Sequence, residues 1–178
     1  FGGRQDQYAS AFGGMNAYYF EDKVMVSSYP RLIAEKFAEN ILLIFTGKTR
    51  KSPKIQESFK RITTKQKKAL DKIKEIAFQA DELIIRSDIV SLGKLFNEAW
   101  EYKKKSNKVT NKEIDNIYDI AIKSGALGAK ICGAGQGGFM AIIVKKDKRS
   151  EVVKNLARLG CKEYDFGIDW NGVETRFI

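Results

Sequence analysis

The sequence predicts an α+β fold, and three observations carry that prediction. Short apolar or alternating runs suited to strands, at 15–21, 23–29, 41–47 and 139–144, are interleaved with long stretches whose apolar residues return every three or four positions. Glycine marks the ends of both kinds of segment. Several strand candidates lie close enough in sequence to form hairpins, which argues against a doubly wound parallel sheet.

Taken in order, residues 5–12 predict a short helix stopped by Gly13 and Gly14. MNAYYFE (15–21) and KVMVSSY (23–29) predict two strands joined by a tight turn near Asp22. Pro30 and the mixed segment to Asn40 read as a crossover between subdomains, and ILLIFTG (41–47) as a buried strand ending at a glycine. A long helical region follows, with Phe59, Ile62, Gln66, Ala69, Leu70, Ile73, Ile76, Ala77, Ala80, Leu83 and Ile84 on one stripe. Ser87 is expected to cap a second helix with Ile89, Leu92, Leu95, Phe96, Ala99 and Trp100 on its apolar side. Thr110 with Glu113 has the spacing of a capping box before a third helix, which Gly125 ends. The remainder predicts strand, glycine loop and strand over 129–145, a helix near 148–159 closed by Gly160, and two terminal strands about an Asn171-Gly172 turn.

At 178 residues and 43% hydrophobic content, the chain can form one full core, or a domain plus part of another. Its longest apolar runs, ILLIF and FMAIIV, fall far short of the roughly 20 residues a membrane span needs. The N-terminus shows no apolar signal-peptide region. Phe1 is not an initiating residue, so upstream sequence is expected. With 2 cysteines, no CxxC and no histidine, the usual zinc sites and His-based acid–base schemes have no ligands to draw on. Cys132 and Cys161 are expected in the core, and a reducing cytoplasm is the expected location. Lys and Arg total 32 against 22 acids, a net charge of +10. Solvated helix faces such as Lys65–Lys68 and Lys103–Lys105 account for much of it. A field that attracts phosphorylated metabolites is a second reading, and a non-catalytic basic module binding nucleic acid or a partner protein a third. No aromatic–basic RNA signature supports the nucleic-acid reading.

Three segments carry candidate chemistry. GAGQGG (133–138) satisfies GxGxxG, but a strand rather than a helix follows, and no Gly-Lys-Ser/Thr is present. Neither a Rossmann turn nor a Walker A loop is therefore expected. A glycine loop between strands can still offer backbone N–H groups to phosphate oxygens; a tight, closely packed hairpin is the alternative. Asp6 lies in Arg4-Gln5-Asp6-Gln7 between glycine pairs. It could accept a hydroxyl proton while Arg4 steadies developing charge, or serve as a helix cap or surface ion pair. Arg50, just after the third strand, could hold an anion with two parallel hydrogen bonds, or be an ordinary surface arginine.

Together these segments resemble the sugar kinases of the GHMP superfamily, and among them the D-glycero-D-manno-heptose 7-phosphate kinases. Gly3 to Gly14 follows that group's G-[KR]-Q-D-Q-Y-A-x-A-F-G-G pattern almost throughout. Thr46, Gly47, Arg50 and Ser52 fit Thr-Gly-x-x-Arg-x-Ser, and residues 125–138 fit the late glycine loop. The likeness runs through essentially the whole chain. It implies ATP-dependent phosphorylation, with Mg²⁺, of a sugar phosphate at its anomeric hydroxyl, giving a 1,7-bisphosphate; kinases for other sugars of the superfamily are the nearest alternative. By position, Asp6 would be the general base and Arg4 its helper. Gln5, Gln7, Gly13, Gly14, Thr46, Gly47 and Arg50 would line the substrate side. Lys130, Gly133, Ala134, Gly135, Gly137 and Gly138 would support the phosphate loop.

The resemblance further implies that 1–38 end an N-terminal kinase domain, and that 39–178 form a C-terminal domain with a ferredoxin-like core. Two departures stand out. Gln136 replaces a glycine common at its place. The superfamily's Pro-x-x-x-Gly-Leu-Gly-Ser-Ser-Ala loop, its N-terminal substrate motif and the acid that helps hold Mg²⁺ do not occur in these 178 residues. No metal ligand is therefore assigned in the chain, the missing N-terminal half is an expected partner, and the 178 residues alone are expected to be inactive.

Overall fold

The structure is a computed structural model that describes residues 4–48, 62–106, 109–133 and 135–175. Helix α1 (Gln5–Phe12) leads into an antiparallel hairpin of β1 (Asn16–Phe20) and β2 (Val24–Ser28), in register from Asn16 opposite Ser28 to Phe20 opposite Val24. Helix α2 (Arg31–Ala38) and strand β3 (Ile41–Phe45) follow. Three helices come next, α3 (Thr64–Ile85), α4 (Ile89–Ser106) and α5 (Lys112–Lys123), then β4 (Gly128–Ile131), β5 (Phe139–Ile143), α6 (Lys146–Ala157) and β6 (Lys162–Tyr164).

The second sheet has the order β4-β5-β3-β6, with every neighbouring pair antiparallel. Read from β3, the chain makes a helical crossover to β4, a hairpin to β5 and a second crossover through α6 to β6. That is the βαββαβ arrangement of a ferredoxin-like core.

Strand alternation decides what each face buries. Leu42 and Ile44 of β3 sit opposite Ile142 and Met140 of β5, which in turn sit opposite Ala129 and Ile131 of β4. This face packs against Trp100 of α4, Ile114 and Ile117 of α5, and Val152 and Leu156 of α6, all fully or nearly fully buried. Burying side chains of this size stabilises by about 1.5–3 kcal/mol each. The intervening positions turn the other way. Ile41 and Ile143 meet Leu92, Leu83, Ile84 and Phe96, and the rings of Phe45, Phe139 and Tyr164 cluster with centroids 5.2–6.2 Å apart.

The free edge of β4 is covered by α4. Asn97 accepts the Ala129 N–H at 3.1 Å and donates to the Leu127 carbonyl at 3.0 Å. A Cβ on Gly128 would lie 2.1 Å from the Gly93 carbonyl oxygen, so this pair of backbones can approach only as glycines.

The α+β class and the order of the main elements stand as predicted; several details do not. The segment 30–40 is no mere crossover, since it holds α2 with Pro30 at its N-cap, where the helix ladder asks for no N–H. The long helix begins at Thr64, where Thr63 and Gln66 form a reciprocal capping box, and leaves Ile62 outside it and exposed. Phe59 lies outside the described residues. Ser87 takes φ +56°, and it is Asp88 whose carboxylate accepts the Ser91 N–H of α4. Asn111, rather than Thr110, caps α5 by accepting from Ile114 N–H at 2.9 Å. Thr110 instead donates to the Asp115 carboxylate. Cys161 is buried but Cys132 is exposed. Among the described residues of the tail, β6 is the single strand, and the Asn171-Gly172 turn closes no hairpin. Among the described residues, too, no helix is long and apolar enough to cross a membrane.

Candidate active site

Helix α1 carries the first cluster. Gly13 and Gly14, at φ +63° and +66°, end it, and Asp6 sits in its first turn, where a negative charge suits the helix dipole. Asp6 is no cap: Arg4 holds the N-cap position, and no side-chain cap bond is made there. Nor does Asp6 spend its carboxylate on an ion pair among the described residues; only its backbone carbonyl is engaged, by Ser10 Oγ at 2.9 Å. Arg4, Gln5, Asp6 and Gln7 are all exposed. The opposite side of the helix packs by rings. Tyr8 lies 6.0 Å from Tyr18 and 5.3 Å from Phe20, and Phe12 lies 6.2 Å from Tyr18. The Arg4 guanidinium stands 5.2 Å over Phe20. Asn16, the next residue on this face of β1, donates to the Gly13 carbonyl.

The second cluster forms where β3 ends beside the β4–β5 loop. Thr46 is buried and doubly bound to one carbonyl, its N–H and its hydroxyl both donating to Gly138 O, at 3.0 and 2.9 Å. Gly138 N–H donates to Lys48 O and Gln136 N–H to Val109 O, at 2.9 and 2.7 Å. Two of the loop's amides are thus spent on protein carbonyls. The loop is a braced, closely packed hairpin, which suits support of a ligand-binding element better than an open cradle of N–H groups. Gly135 shows how tight the packing is: at φ +98°, a Cβ there would lie 2.5 Å from Val109 O. Gln136 adopts φ +62°, a left-handed conformation that a side chain disfavours. Arg50 and Ala134 lie outside the described residues.

The structure therefore gathers Thr46, Gly47 and the glycine loop at one end of the four-stranded sheet, and Gly13 and Gly14 beside the C-terminal tail. Lys130 occupies a third place. Its ammonium lies 5.3 Å over the Phe96 ring and lines a cavity of about 510 Å³ between β1 and helices α3 and α4. Burial pushes it below its ordinary pKa. In the same cavity Asp81 accepts hydrogen bonds from Tyr19 at 3.0 Å and Tyr29 at 2.5 Å. Burial and that carboxylate together hold the Tyr29 phenol well above its usual range.

Sequence reasoning missed the residue that braces the loop from outside. Lys103, read as part of a solvated lysine run, donates to the carbonyls of Ile131 at 3.2 Å and Gly133 at 2.7 Å. A signal existed in its spacing, three residues after the buried Trp100 and on the flank of the apolar stripe. Among the described residues, no group of three or more Asp, Glu, Cys or His side chains stands ready to hold a metal ion.

Comparison with known proteins bears on these clusters together. Residues 80–160 match the family described as GHMP kinases C terminal. The chain is 34% identical, over 98% of its length, to D-glycero-alpha-D-manno-heptose 7-phosphate kinase of Campylobacter jejuni, and covers 53% of that protein. It is 27% identical over 87% of its length to L-fucokinase/L-fucose-1-P guanylyltransferase of Bacteroides fragilis, covering 17% of it. Among solved structures, a D-glycero-D-manno-heptose 1-phosphate kinase from Bacteroides thetaiotaomicron superposes with TM-score 0.68 at 28% identity, over 97% of this chain and 48% of that one. A mevalonate kinase from L. major shares the fold, with TM-score 0.67 at 24% identity over 86% of this chain and 47% of that one. The chain spans about half the length of the heptose kinases it matches.

Proposed function

We propose that the chain, which matches the family described as GHMP kinases C terminal over residues 80–160 and is 34% identical to a heptose 7-phosphate kinase, supplies the base-bearing helix and the C-terminal domain of an ATP-dependent sugar kinase. The acceptor is the anomeric hydroxyl of D-glycero-D-manno-heptose 7-phosphate. The observation that carries the reading is Asp6, an exposed carboxylate in no ion pair among the described residues, on a helix whose sequence follows the heptose-kinase pattern.

In this reading Asp6 accepts the proton of the anomeric hydroxyl as that oxygen attacks the γ-phosphorus of ATP. The bond from phosphorus to the bridging oxygen breaks, and ADP leaves. Arg4 is assigned by the heptose-kinase pattern to offer positive charge to the transferring phosphoryl group, a role for which its guanidinium has to swing from its place over Phe20. Phosphoryl transfer depends mostly on positioning and on charge stabilisation. The braced loop 133–138 contributes by holding its neighbours in place. The described residues form no cluster that fits Mg²⁺, so no step is assigned through it. Residues 1–38 are read as the end of an N-terminal kinase domain and 39–178 as the C-terminal domain. The location is read as cytoplasmic.

The test is direct. The complete protein, given this heptose phosphate with ATP and Mg²⁺, should release ADP and form the 1,7-bisphosphate, seen by phosphorus NMR. Preferred turnover of galactose or fucose would move the substrate assignment; absence of phosphoryl transfer to any sugar would end it. The 178 residues alone should show no turnover. Arg50 is assigned to hold the phosphate that the substrate already carries; Arg50→Ala should then raise KM for the heptose phosphate, and an unchanged KM would remove that role.

A further inference from the structure

We infer that the C-terminal turn at 169–173 is the positioning element of the Asp6 helix, with Gly172 as its contact point; the inference rests on the reading of Asp6 as the base. Helix α1 fully buries none of its residues; Tyr8 and Phe12 rest on the rings of β1, and backbone contacts with the tail fix its C-terminal end. Gly14 N–H donates to Asp169 O at 2.6 Å, and Val173 N–H donates to Ala11 O at 3.3 Å. The second bond satisfies one of the carbonyls that a helix end leaves without a partner.

The approach is close enough to exclude a methyl group. A Cβ on Gly172 would lie 2.5 Å from Ala11 O and 2.7 Å from Gly13 N, and one on Gly13 would lie 2.4 Å from Gly172 N. The turn itself is braced. Asp169 Oδ1 accepts the Asn171 N–H at 3.1 Å, and the Asn171 side chain donates to Glu174 at 2.8 Å. Trp170 lies against Gly14, and the guanidinium of Arg31 on α2 stands 5.0 Å over the Trp170 ring. Arg31 is tied in turn to Glu35 at 2.7 Å. The tail thus links the end of α1 to the start of α2.

Asp6 lies five residues before Ala11, about 7.5 Å along the helix, so a shift at the clamp is carried to the carboxylate. Displacements of about 1 Å at a reacting group can cost about a hundredfold in rate. Gly172 is a positioning residue: it touches no substrate and acts through Asp6.

The experiment compares Gly172→Ala, Asp6→Asn and the double variant in the complete protein, with D-glycero-D-manno-heptose 7-phosphate, ATP and Mg²⁺. Gly172→Ala should lower kcat at least about tenfold, leave KM for ATP unchanged, and speed hydrogen exchange at the amides of 9–14. In the Asp6→Asn background it should change the residual rate by less than about twofold, because the group it positions is gone. Faster exchange with kcat kept would overturn the proposal, and so would an equal loss in both backgrounds, which marks general damage. Full activity in Asp6→Asn would instead remove the base assignment beneath it. Should Gly172→Ala fail to fold, the Trp170 pair decides. Trp170→Phe should keep kcat and Trp170→Ala lose it; equal rates would overturn the proposal.

Discussion

The two-stranded and the four-stranded sheet are held by different means. The four-stranded sheet buries Leu42, Ile44, Ile131, Met140 and Ile142 to 1% exposure or less, between strands and three helices. The unit of α1, β1 and β2 contributes no residue to that core; Phe12 is 52% exposed and Phe20 38%. It is held by ring stacking, a few polar bonds and the backbone clamp of the tail. The proposed base stands on this lightly anchored unit, and the braced glycine loop on the firmly packed one. Chemistry placed on a poorly buried helix can be adjusted at small cost in stability, which is a general property of functional segments.

Substitutions can break the contrast at either end. The largest effect is expected at Asp6. Asp6→Asn should lower kcat by about 10² to 10⁴ while changing stability by no more than about 0.5 kcal/mol, as for other exposed sites. Steady-state kinetics beside urea unfolding separates the two quantities. Next comes burial. Leu42→Ala should cost about 2–5 kcal/mol, and Phe12→Ala clearly less, about 1 kcal/mol, because half of its ring is already in water. Equal shifts in urea midpoint would erase the distinction between the units.

Two glycines of the same loop sharpen the picture. Gly138→Ala meets nothing within 4 Å and suffers only from φ +83°, about 1–2 kcal/mol. Gly135→Ala adds a collision with Val109 O and should cost visibly more. The smallest effect concerns Lys130, whose folded pKa lies below its ordinary 10.5 because burial disfavours the ammonium. Between the folded and unfolded pKa values the unfolded chain binds more protons, so stability rises with pH through that window. Lys130→Met should therefore raise Tm at neutral pH, with the gain shrinking as pH approaches 10.5.

Much of this was legible in the sequence, for identifiable reasons. Strands such as ILLIF and FMAII, and helix stops such as Gly13, Gly125 and Gly160, depend on local pattern and backbone freedom, and they stand where predicted. The caps slipped by one residue at Asp88 and Asn111, since adjacent Ser, Asp, Thr and Asn compete for the same role. Non-local features were not legible. The Asn171-Gly172 turn signals a hairpin locally, yet its partner is the end of α1, some 160 residues earlier in the chain. Lys103 reads as a solvated charge in the sequence, whereas its bonds to the Ile131 and Gly133 carbonyls depend on the fold. Lys130 is placed with the glycine loop by the family pattern; that its ammonium stands over Phe96 depends on strand alternation and packing, which the pattern does not carry.

Hydrogen exchange on the 178-residue chain tests the contrast most directly. Amides of β3 and β5 should exchange only through global unfolding, with a free energy that tracks the urea value. Those of α1, β1 and β2 should exchange through local opening, at much lower free energy and with little dependence on denaturant. Equal protection across both units would contradict the account, because it would mean that the helix bearing Asp6 is as firmly built into the molecule as the core itself.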